Sequence, residues 1–183
     1  MGTDELRVRL ATEADLPALH RLIPRSVRAL SRGYYSDAQI ESAIRHVFGP
    51  DTQLIADGTY FVVTARSEVV ACGGWSRRRT LYGGDQMKAA ADPLVDPATE
   101  PARIRAFFVD PDWSRRGIAS RLMNACVDAA RAAGFRTLEL AATLPGEPLY
   151  RTFGFRELER VEAPLPDGGV LPIVRMARAV EVE

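Results

Sequence analysis

One stretch of the sequence decides the fold: FFVDPDWSRRGIA, residues 107–119. It begins as the end of an apolar strand, passes through a loop with Arg115 and Arg116, and continues as an amphipathic helix after Gly117. The first turn of a helix leaves backbone N–H groups without partners and carries the positive end of the helix dipole. Phosphates bind well at such an end, and Gly117 lets a ligand approach the backbone closely. The pattern is therefore typical of a pyrophosphate cradle, and equally of an ordinary strand-to-helix turn with two solvated arginines.

The strand that leads into this loop, Arg103 to Val109, is apolar on both faces, which predicts a central strand covered on both sides. The alternation and spacing of apolar residues predict the other elements. They are strands over Leu6 to Leu10, Tyr60 to Thr64, Val69 to Trp75, Thr137 to Ala142, Phe155 to Ala163 and Val170 to Ala177, and helices over Thr12 to Leu30, Ser36 to Val47, Ile118 to Gly134 and Pro148 to Thr152. Pro24 is expected to kink or break the first helix. The order predicts an α+β layered domain with helices covering a mixed sheet.

Composition sets the broad class of the protein. The chain has 183 residues, of which 46% are apolar and 26% charged, so we expect one globular domain over residues 1–183. The net charge of zero makes nucleic-acid binding a poor expectation. Cys72 and Cys126 form no disulfide framework, no apolar run is long enough to span a membrane, and no apolar leader begins the chain, so a cytoplasmic location is expected.

Two features of the middle of the chain have no clear periodic meaning. Residues Arg77 to Pro101 form a long polar stretch, interpreted as a surface excursion that could act as a lid. The pair Gly73–Gly74 lies within a strand, where glycine is typical of a bulge or of close backbone packing. His20 and His46 show no spacing of metal ligands, so no metal site is expected.

A second motif, LYRTFGF at residues 149–155, completes a family resemblance. Ser114 to Ala119 resembles the Q/R-x-x-G-x-G/A signature of the GNAT superfamily of acetyl-CoA-dependent N-acyltransferases, and the second motif resembles its (F/L)-Y-x-x-x-G-F box. The order of elements matches from about Leu6 to Arg178. The resemblance implies a mostly antiparallel mixed sheet of about six or seven strands with about four helices. It also implies acetyl-CoA as co-substrate, a primary amine as acceptor, and direct attack in a ternary complex.

The resemblance also assigns roles to residues of the first motif. The amides of Arg116, Gly117, Ile118 and Ala119, helped by Arg115, would hold the pyrophosphate of coenzyme A. Ser114 stands where the signature has Gln or Arg, which puts one side-chain phosphate contact in doubt. The strand that precedes the motif would pair its backbone with the pantetheine arm, and one of its amides would polarise the thioester carbonyl. The residues of that strand are Phe107, Phe108 and Val109.

Other residues follow from the resemblance as catalytic or acceptor candidates. Tyr150 matches the tyrosine that protonates the departing thiolate, although an aromatic of this kind also packs at helix ends. Glu139 is the candidate general base, with Asp110 and a water chain as alternatives. Tyr34 and Tyr35 are candidates for the acceptor wall. The acceptor stays open among a metabolite, an antibiotic and a protein N-terminus. A non-catalytic acyl-CoA-binding module on the same fold is the alternative function, and a homodimer is plausible.

Overall fold

The computed structural model describes residues 5–88, 90 and 92–181. Seven strands form one sheet: β1 (Arg7–Leu10), β2 (Tyr60–Ala65), β3 (Glu68–Ser76), β4 (Ala102–Val109), β5 (Thr137–Thr143), β6 (Arg156–Pro164) and β7 (Val170–Ala179). Five α-helices accompany them: α1 (Leu16–Leu30), α2 (Asp37–His46), α3 (Thr52–Ala56), α4 (Ile118–Ala132) and α5 (Glu147–Thr152). No helix within the described residues is both long and apolar enough to cross a bilayer.

The strand order across the sheet is β1-β2-β3-β4-β5-β7-β6, which places β4 at the centre. Every neighbouring pair is antiparallel except β4 with β5. These two parallel strands pair only at Ala102 with Leu138 and at Arg103 with Glu139. Beyond those pairs the strands separate, so the sheet opens at its centre.

The core lies on both faces of the sheet, as the two-sided apolar pattern of β4 predicts. Buried residues of α1 and α2 pack on one face together with Leu171 and Ile173 of β7. Residues of α4, among them Met123 and Cys126, pack on the other face against Leu138 and Leu140 of β5. Because β5 alternates between these two clusters, successive side chains near the opening point to opposite layers.

The expected α+β fold is confirmed, and three details differ from expectation. Helix α1 is not broken at Pro24, because the buried stripe that includes Leu19 and Ile23 outweighs the hydrogen bond lost at proline, a cost of about 3 kcal/mol. The alternation over Leu6 to Leu10 predicts a half-buried strand, whereas β1 is exposed on both faces, with Leu10 47% exposed, since it forms an edge of the sheet. The short helix α3 is preceded by Asp51, whose carboxylate accepts hydrogen bonds from two amides of its first turn, a cap that the apolar spacing does not reveal.

Candidate active site

The separation of β4 from β5 produces a cavity of about 220 Å³. One wall is β4 from Ile104 to Val109, and another is the end of β5 with Thr143. Helix α1 and the loop that follows α2 form one side, whereas Ala119 of α4 and Tyr150 of α5 form the other. The cavity therefore runs through the sheet between the two helical layers.

A bulge in β4 shapes the inner wall of this cavity. Ala106 has φ of +55°, which is unfavourable for a residue with a Cβ by roughly 1–2 kcal/mol. Its carbonyl oxygen accepts a hydrogen bond from Tyr60 Oη at 3.3 Å and a weaker one from Cys72 Sγ at 3.8 Å. Since both donors come from the strands on the other side of β4, they turn this carbonyl away from the cavity and hold the bulge in place.

The pair Gly73–Gly74 lies opposite the bulge, as one of the two interpretations of this pair predicts. Between the pairs Cys72–Phe108 and Gly74–Arg105, β3 contributes one residue and β4 contributes two. A Cβ on Gly73 would lie 2.7 Å from the ring of Phe107. A Cβ on Gly74 would lie 2.7 Å from the carbonyl oxygen of Thr59 and 2.9 Å from the ring of Tyr60. Glycine at both positions therefore admits the Phe107 ring and the Tyr60 ring beside the bulge.

The loop before α4 has the geometry of an anion site. Arg115 has φ of +61° and Gly117 has φ of +76°, so the chain turns twice through the left-handed region just before the helix begins. A Cβ on Gly117 would meet no atom within 4 Å, so glycine is needed here for its backbone angle and for open access, and not for packing. Helix α4 is 15 residues long, and the amides of its first turn point out of its N-terminus next to Ala119, which lines the cavity.

Ion pairs and a ring fix the flanks of this loop. The Arg116 guanidinium lies over the Trp113 ring at 4.7 Å, a cation–π contact. The Asp110 carboxylate accepts a hydrogen bond from the amide of Asp112 at 2.9 Å and pairs with Arg25 of α1 at 3.1 Å. Asp110 therefore closes the end of β4, and its interactions favour that role over a role as general base.

Tyr150 lies at the α4 side of the cavity. Its ring packs edge-on against the rings of Phe107 and Phe155, with distances between ring centroids of 6.3 Å and 6.1 Å. Residues of both sequence motifs, 107–119 and 149–155, therefore meet at this side chain. Burial, with a smaller contribution from the nearby Cys126 thiol, raises the pKa of the Tyr150 phenol. The phenol is therefore protonated throughout the physiological range and can donate a proton.

The structure places Glu139 away from the cavity. Its carboxylate pairs with Arg103 at 3.1 Å and with Arg175 at 2.5 Å, and it belongs to the closed end of the β4–β5 pair. It is absent from the residues that line the cavity, whereas Leu140 and Ala141 line it. A carboxylate that two guanidinium groups hold outside the cavity lining is poorly placed to take a proton from an acceptor amine.

The two tyrosines between α1 and α2 also lie outside the cavity lining. Tyr34 is 52% exposed. The Tyr35 hydroxyl donates to the carbonyl oxygen of Pro172 at 2.6 Å and accepts from the amide of Leu144 at 2.9 Å. Tyr35 therefore joins the α1–α2 connection to β7 and to the end of β5, which is a structural role beside the site.

Sequence reasoning did not find the buried charges of the site. The Arg105 guanidinium donates to the Asp51 carboxylate at 2.9 Å and to the carbonyl oxygens of Thr80 and Gly83. Asp51 also pairs with Lys88 at 2.5 Å and is fully buried. Burial lowers the pKa of Arg105. The only available signals were weak: an arginine inside an apolar strand and the single lysine of the chain.

These charges determine what the excursion does. Arg105 and Asp51 tie it to β4 and to the start of α3, and the amide of Gly84 donates to the carbonyl oxygen of Val47 at 2.8 Å. Residues 81–84 consequently form part of the cavity wall. This part of the excursion lies against the cavity, and the interpretation of the excursion as a lid stays a prediction.

The two cysteine thiols of the chain are buried and stay protonated. Cys72 and Cys126 are both fully buried, and burial raises the pKa of the Cys72 thiol to about 12 and that of Cys126 further. Within the part of the chain that the structure describes, no three His, Cys, Asp or Glu side chains are grouped as a metal site requires.

Solved structures with similar folds cover almost the whole chain. The PaiA N-acetyltransferase from Thermoplasma acidophilum, solved with coenzyme A, matches with a TM-score of 0.67 and 14% identity, over 96% of this chain and 99% of that one. The putative acetyltransferase YncA from Salmonella typhimurium, solved with acetyl-CoA, matches with a TM-score of 0.63 and 15% identity over 97% and 95%. The ribosomal-protein-S18-alanine N-acetyltransferase from Escherichia coli matches with a TM-score of 0.60 and 18% identity, over 98% of this chain and 96% of that one. At these identities the similarity shows the fold.

Sequence comparisons identify the family. An uncharacterized N-acetyltransferase of Methanocaldococcus jannaschii is 36% identical over 66 residues, which are 34% of this chain and 29% of the length of that relative. A family model described as the acetyltransferase (GNAT) family matches residues 25–155, a region that contains the loop before α4, the opening between β4 and β5, and Tyr150. Since this match spans well over half of the sequence, the chain belongs to the GNAT acetyltransferase family.

Proposed function

We propose that the protein, as one N-acetyltransferase domain, transfers an acetyl group from acetyl-CoA to a primary amine by direct attack in a ternary complex. The observation that carries this proposal is the opening between β4 and β5, which has an anion-binding loop at one end and Tyr150 beside it. The opening provides room for a thioester between two strands, and family membership supports acetyl-CoA as the source of the acetyl group.

The loop before α4 is proposed to hold the pyrophosphate. Amides of Arg116, Gly117, Ile118 and Ala119 are the donors, and the left-handed turn at Gly117 directs several of them to one point. The exposed Arg115 side chain can add a charge-assisted hydrogen bond. Ser114 contributes little through its side chain, because its hydroxyl already donates to the carbonyl oxygen of Pro111 at 2.9 Å.

The free edge of β4 is proposed to bind the pantetheine arm. Phe108 and Val109 pair with β3 on one side, and residues 107–109 have no β5 partner on the other, so their outward N–H and C=O groups can accept an added strand. The bulge at Ala106 changes the direction of the backbone at the point where the thioester would lie. An amide beside the bulge is the proposed donor to the thioester carbonyl, where negative charge develops.

The chemical step needs one acid and a path for one proton. The amine nitrogen attacks the carbonyl carbon, the tetrahedral intermediate collapses, and the C–S bond breaks. Tyr150 donates its proton to the departing thiolate, and the resulting tyrosinate regains a proton from water after the product leaves. The proton lost by the amine leaves through water, since neither Glu139 nor Asp110 is positioned to take it.

Direct transfer agrees with the state of the thiols. A covalent acetyl-cysteine would need an exposed thiolate, whereas Cys72 and Cys126 are buried and protonated. No other described side chain in the cavity lining is an obvious nucleophile with an activating base.

Calorimetric titration with acetyl-CoA, followed by a thiol-release assay over an amine library, tests the proposal. We expect saturable binding of acetyl-CoA and thiol release with a subset of amines. The Tyr150→Phe variant keeps the ring that packs on Phe107 and Phe155, so it should bind coenzyme A as the parent does while kcat falls about 10²-fold or more. Unchanged kcat would remove Tyr150 from the acid role. Binding of acetyl-CoA without thiol release from any amine would instead indicate the non-catalytic module.

A further inference from the structure

Two serines, Ser26 of α1 and Ser31 at the C-cap of this helix, line the cavity on the side opposite Tyr150. Ser26 and Ser31 are 2% and 4% exposed and both line the cavity. They lie on the layer of α1 and α2, across the opening from α4, where the proposed coenzyme loop is found. The amine acceptor has to approach from this side, because the α4 side is assigned to coenzyme A. The inference below therefore rests on the proposed function.

Neither of these two hydroxyls is used in the protein fold. Ser26 and Ser31 form no side-chain hydrogen bond within the described residues, and so their hydroxyl oxygens keep access to the cavity. A buried hydroxyl without a partner costs about 1–3 kcal/mol, so such groups are expected to meet a ligand or water.

The charge of the cavity excludes one class of ligand. Among the described lining residues none is Asp or Glu, and the single ionised side chain is Arg105. Its guanidinium is compensated by Asp51 and by the carbonyl oxygens of Thr80 and Gly83. An ammonium group inside the cavity would lose its water without gaining a carboxylate, and it would lie near this cation.

The remaining surface on this side is apolar and aromatic. Phe48 and Phe108 pack edge-on at 5.9 Å, and Val27 and Leu30 of α1 extend the same wall. Such surroundings favour the neutral form of an amine, because desolvation lowers the pKa of an ammonium group. The neutral amine is also the nucleophile that the reaction needs. The apolar character of the wall therefore disfavours a second positive charge on the acceptor and favours the neutral, nucleophilic form of the reacting nitrogen.

We propose that Ser26 and Ser31 bind the acceptor, and that the acceptor is a primary amine on a compact, largely apolar body with neutral hydrogen-bonding groups and no second positive charge. The serine hydroxyls bind its neutral polar groups, and the Phe48–Phe108 wall contacts its apolar body. Polyamines and aminoglycosides fall outside this class.

A matched pair of amines tests the charge rule. Hexylamine and 1,6-diaminohexane share a chain length and differ by one ammonium group, so thiol release is measured with each, and with kanamycin as a polycation. We expect kcat/KM for hexylamine to exceed that for the diamine by about tenfold or more. Equal or better use of the diamine or kanamycin would overturn the inference while leaving acetyl transfer intact. No thiol release with any amine would remove the inference together with the catalytic proposal.

Substitutions of the serines test their role. With phenylalaninamide, which has a ring and a neutral amide, Ser26→Ala should raise the KM for the amine several-fold and leave the KM for acetyl-CoA unchanged. Ser42→Ala on α2 is the control, because Ser42 is buried and lies outside the cavity lining. Ser26→Asp supplies the missing carboxylate and should shift the preference toward 1,6-diaminohexane by about tenfold. Identical amine KM values for the parent, Ser26→Ala and Ser42→Ala would refute the assignment.

Discussion

The hydroxyl of Tyr60 on β2 donates a hydrogen bond across the intervening strand β3 to the carbonyl oxygen of Ala106 on β4, at 3.3 Å. Tyr60 is fully buried, and burial raises its pKa well above the ordinary value, so it stays a donor. This contact holds the strained bulge that forms the inner wall of the cavity.

The Tyr60→Phe variant removes only this hydroxyl. We expect a loss of about 1 kcal/mol in the free energy of unfolding, measured in urea, and a fall in kcat larger than any change in KM for acetyl-CoA. The reason is that the amides beside the bulge lose their fixed direction. Tyr35→Phe removes another buried hydroxyl, one that bonds Pro172 and Leu144 away from the bulge. If both variants reduced kcat equally, the effect would belong to general stability and not to the bulge.

Gly73→Ala should be more damaging than an ordinary glycine substitution. The added Cβ would lie 2.7 Å from the ring of Phe107, which has to move out of its place beside Tyr150. We expect a destabilisation of about 1–3 kcal/mol and weaker binding of coenzyme A in a calorimetric titration. Gly169→Ala is the control, because its nearest contact is an ordinary 3.6 Å to Leu165. Full coenzyme affinity in Gly73→Ala would show that the ring position does not matter for the ligand.

Gly117→Ala tests the anion loop, and Gly168→Ala provides a control with similar backbone geometry. The φ angles are +76° and +96°, and at neither position would a Cβ meet an atom within 4 Å. Both changes should therefore cost about 1 kcal/mol of stability through the backbone. Only Gly117→Ala should reduce the affinity for coenzyme A, by about tenfold or more, because it lies in the proposed cradle. Equal affinities in the two variants would place the pyrophosphate elsewhere.

Asp51→Asn should strongly destabilise the fold. It removes the carboxylate that compensates Arg105, whose side chain is 2% exposed, and it also leaves Lys88 unpaired. Breaking a buried pair from one side costs about 3–5 kcal/mol, which thermal or urea unfolding can measure. Glu41→Gln breaks the surface pair with Arg28 and should cost about 1 kcal/mol or less. If Asp51→Asn lowered the free energy of unfolding by no more than Glu41→Gln, water would have to reach the Arg105 guanidinium.

Stability should fall at alkaline pH. The pKa of the Cys72 thiol rises from 9.0 to about 12 in the fold, and the unfolded chain therefore releases this proton first. A group whose folded pKa is raised stabilises the fold below its unfolded pKa and loses that contribution as the pH climbs toward the folded value. We expect the free energy of unfolding to decrease from about pH 9 upward. Cys72→Ser should make this decrease with pH less steep, because serine does not titrate in that range. An equally steep decrease in the variant would show that other groups cause it.

The local elements near the first motif could be predicted because each depends on a local signal. The apolar run before Asp110, the glycine at position 117 and the helical spacing after Ile118 are contiguous in the sequence. The position of Gly73–Gly74 within a strand likewise predicts a bulge or close backbone packing from the local pattern alone. Only the structure shows which partner requires glycine there, since Phe107 is distant in sequence.

The parts of the site that escaped prediction depend on pairing between distant segments. Glu139 resembles a base in its strand, but its partners Arg103 and Arg175 come from β4 and β7 and meet it only in the sheet. The same holds for Asp51, which caps α3 locally and compensates Arg105 from a distance. No periodicity reports such contacts, because charged side chains of this kind follow no apolar pattern.

The narrow joint between β4 and β5 has a mechanical consequence. With only two residue pairs in register, the sheet consists of two leaves, β1 to β4 and β5 to β7, that share little backbone bonding. A molecule that binds along the facing edges of β4 and β5 would link these two leaves. Occupancy should therefore make the two leaves melt as one cooperative unit, and hydrogen exchange should slow most at the amides that face this seam.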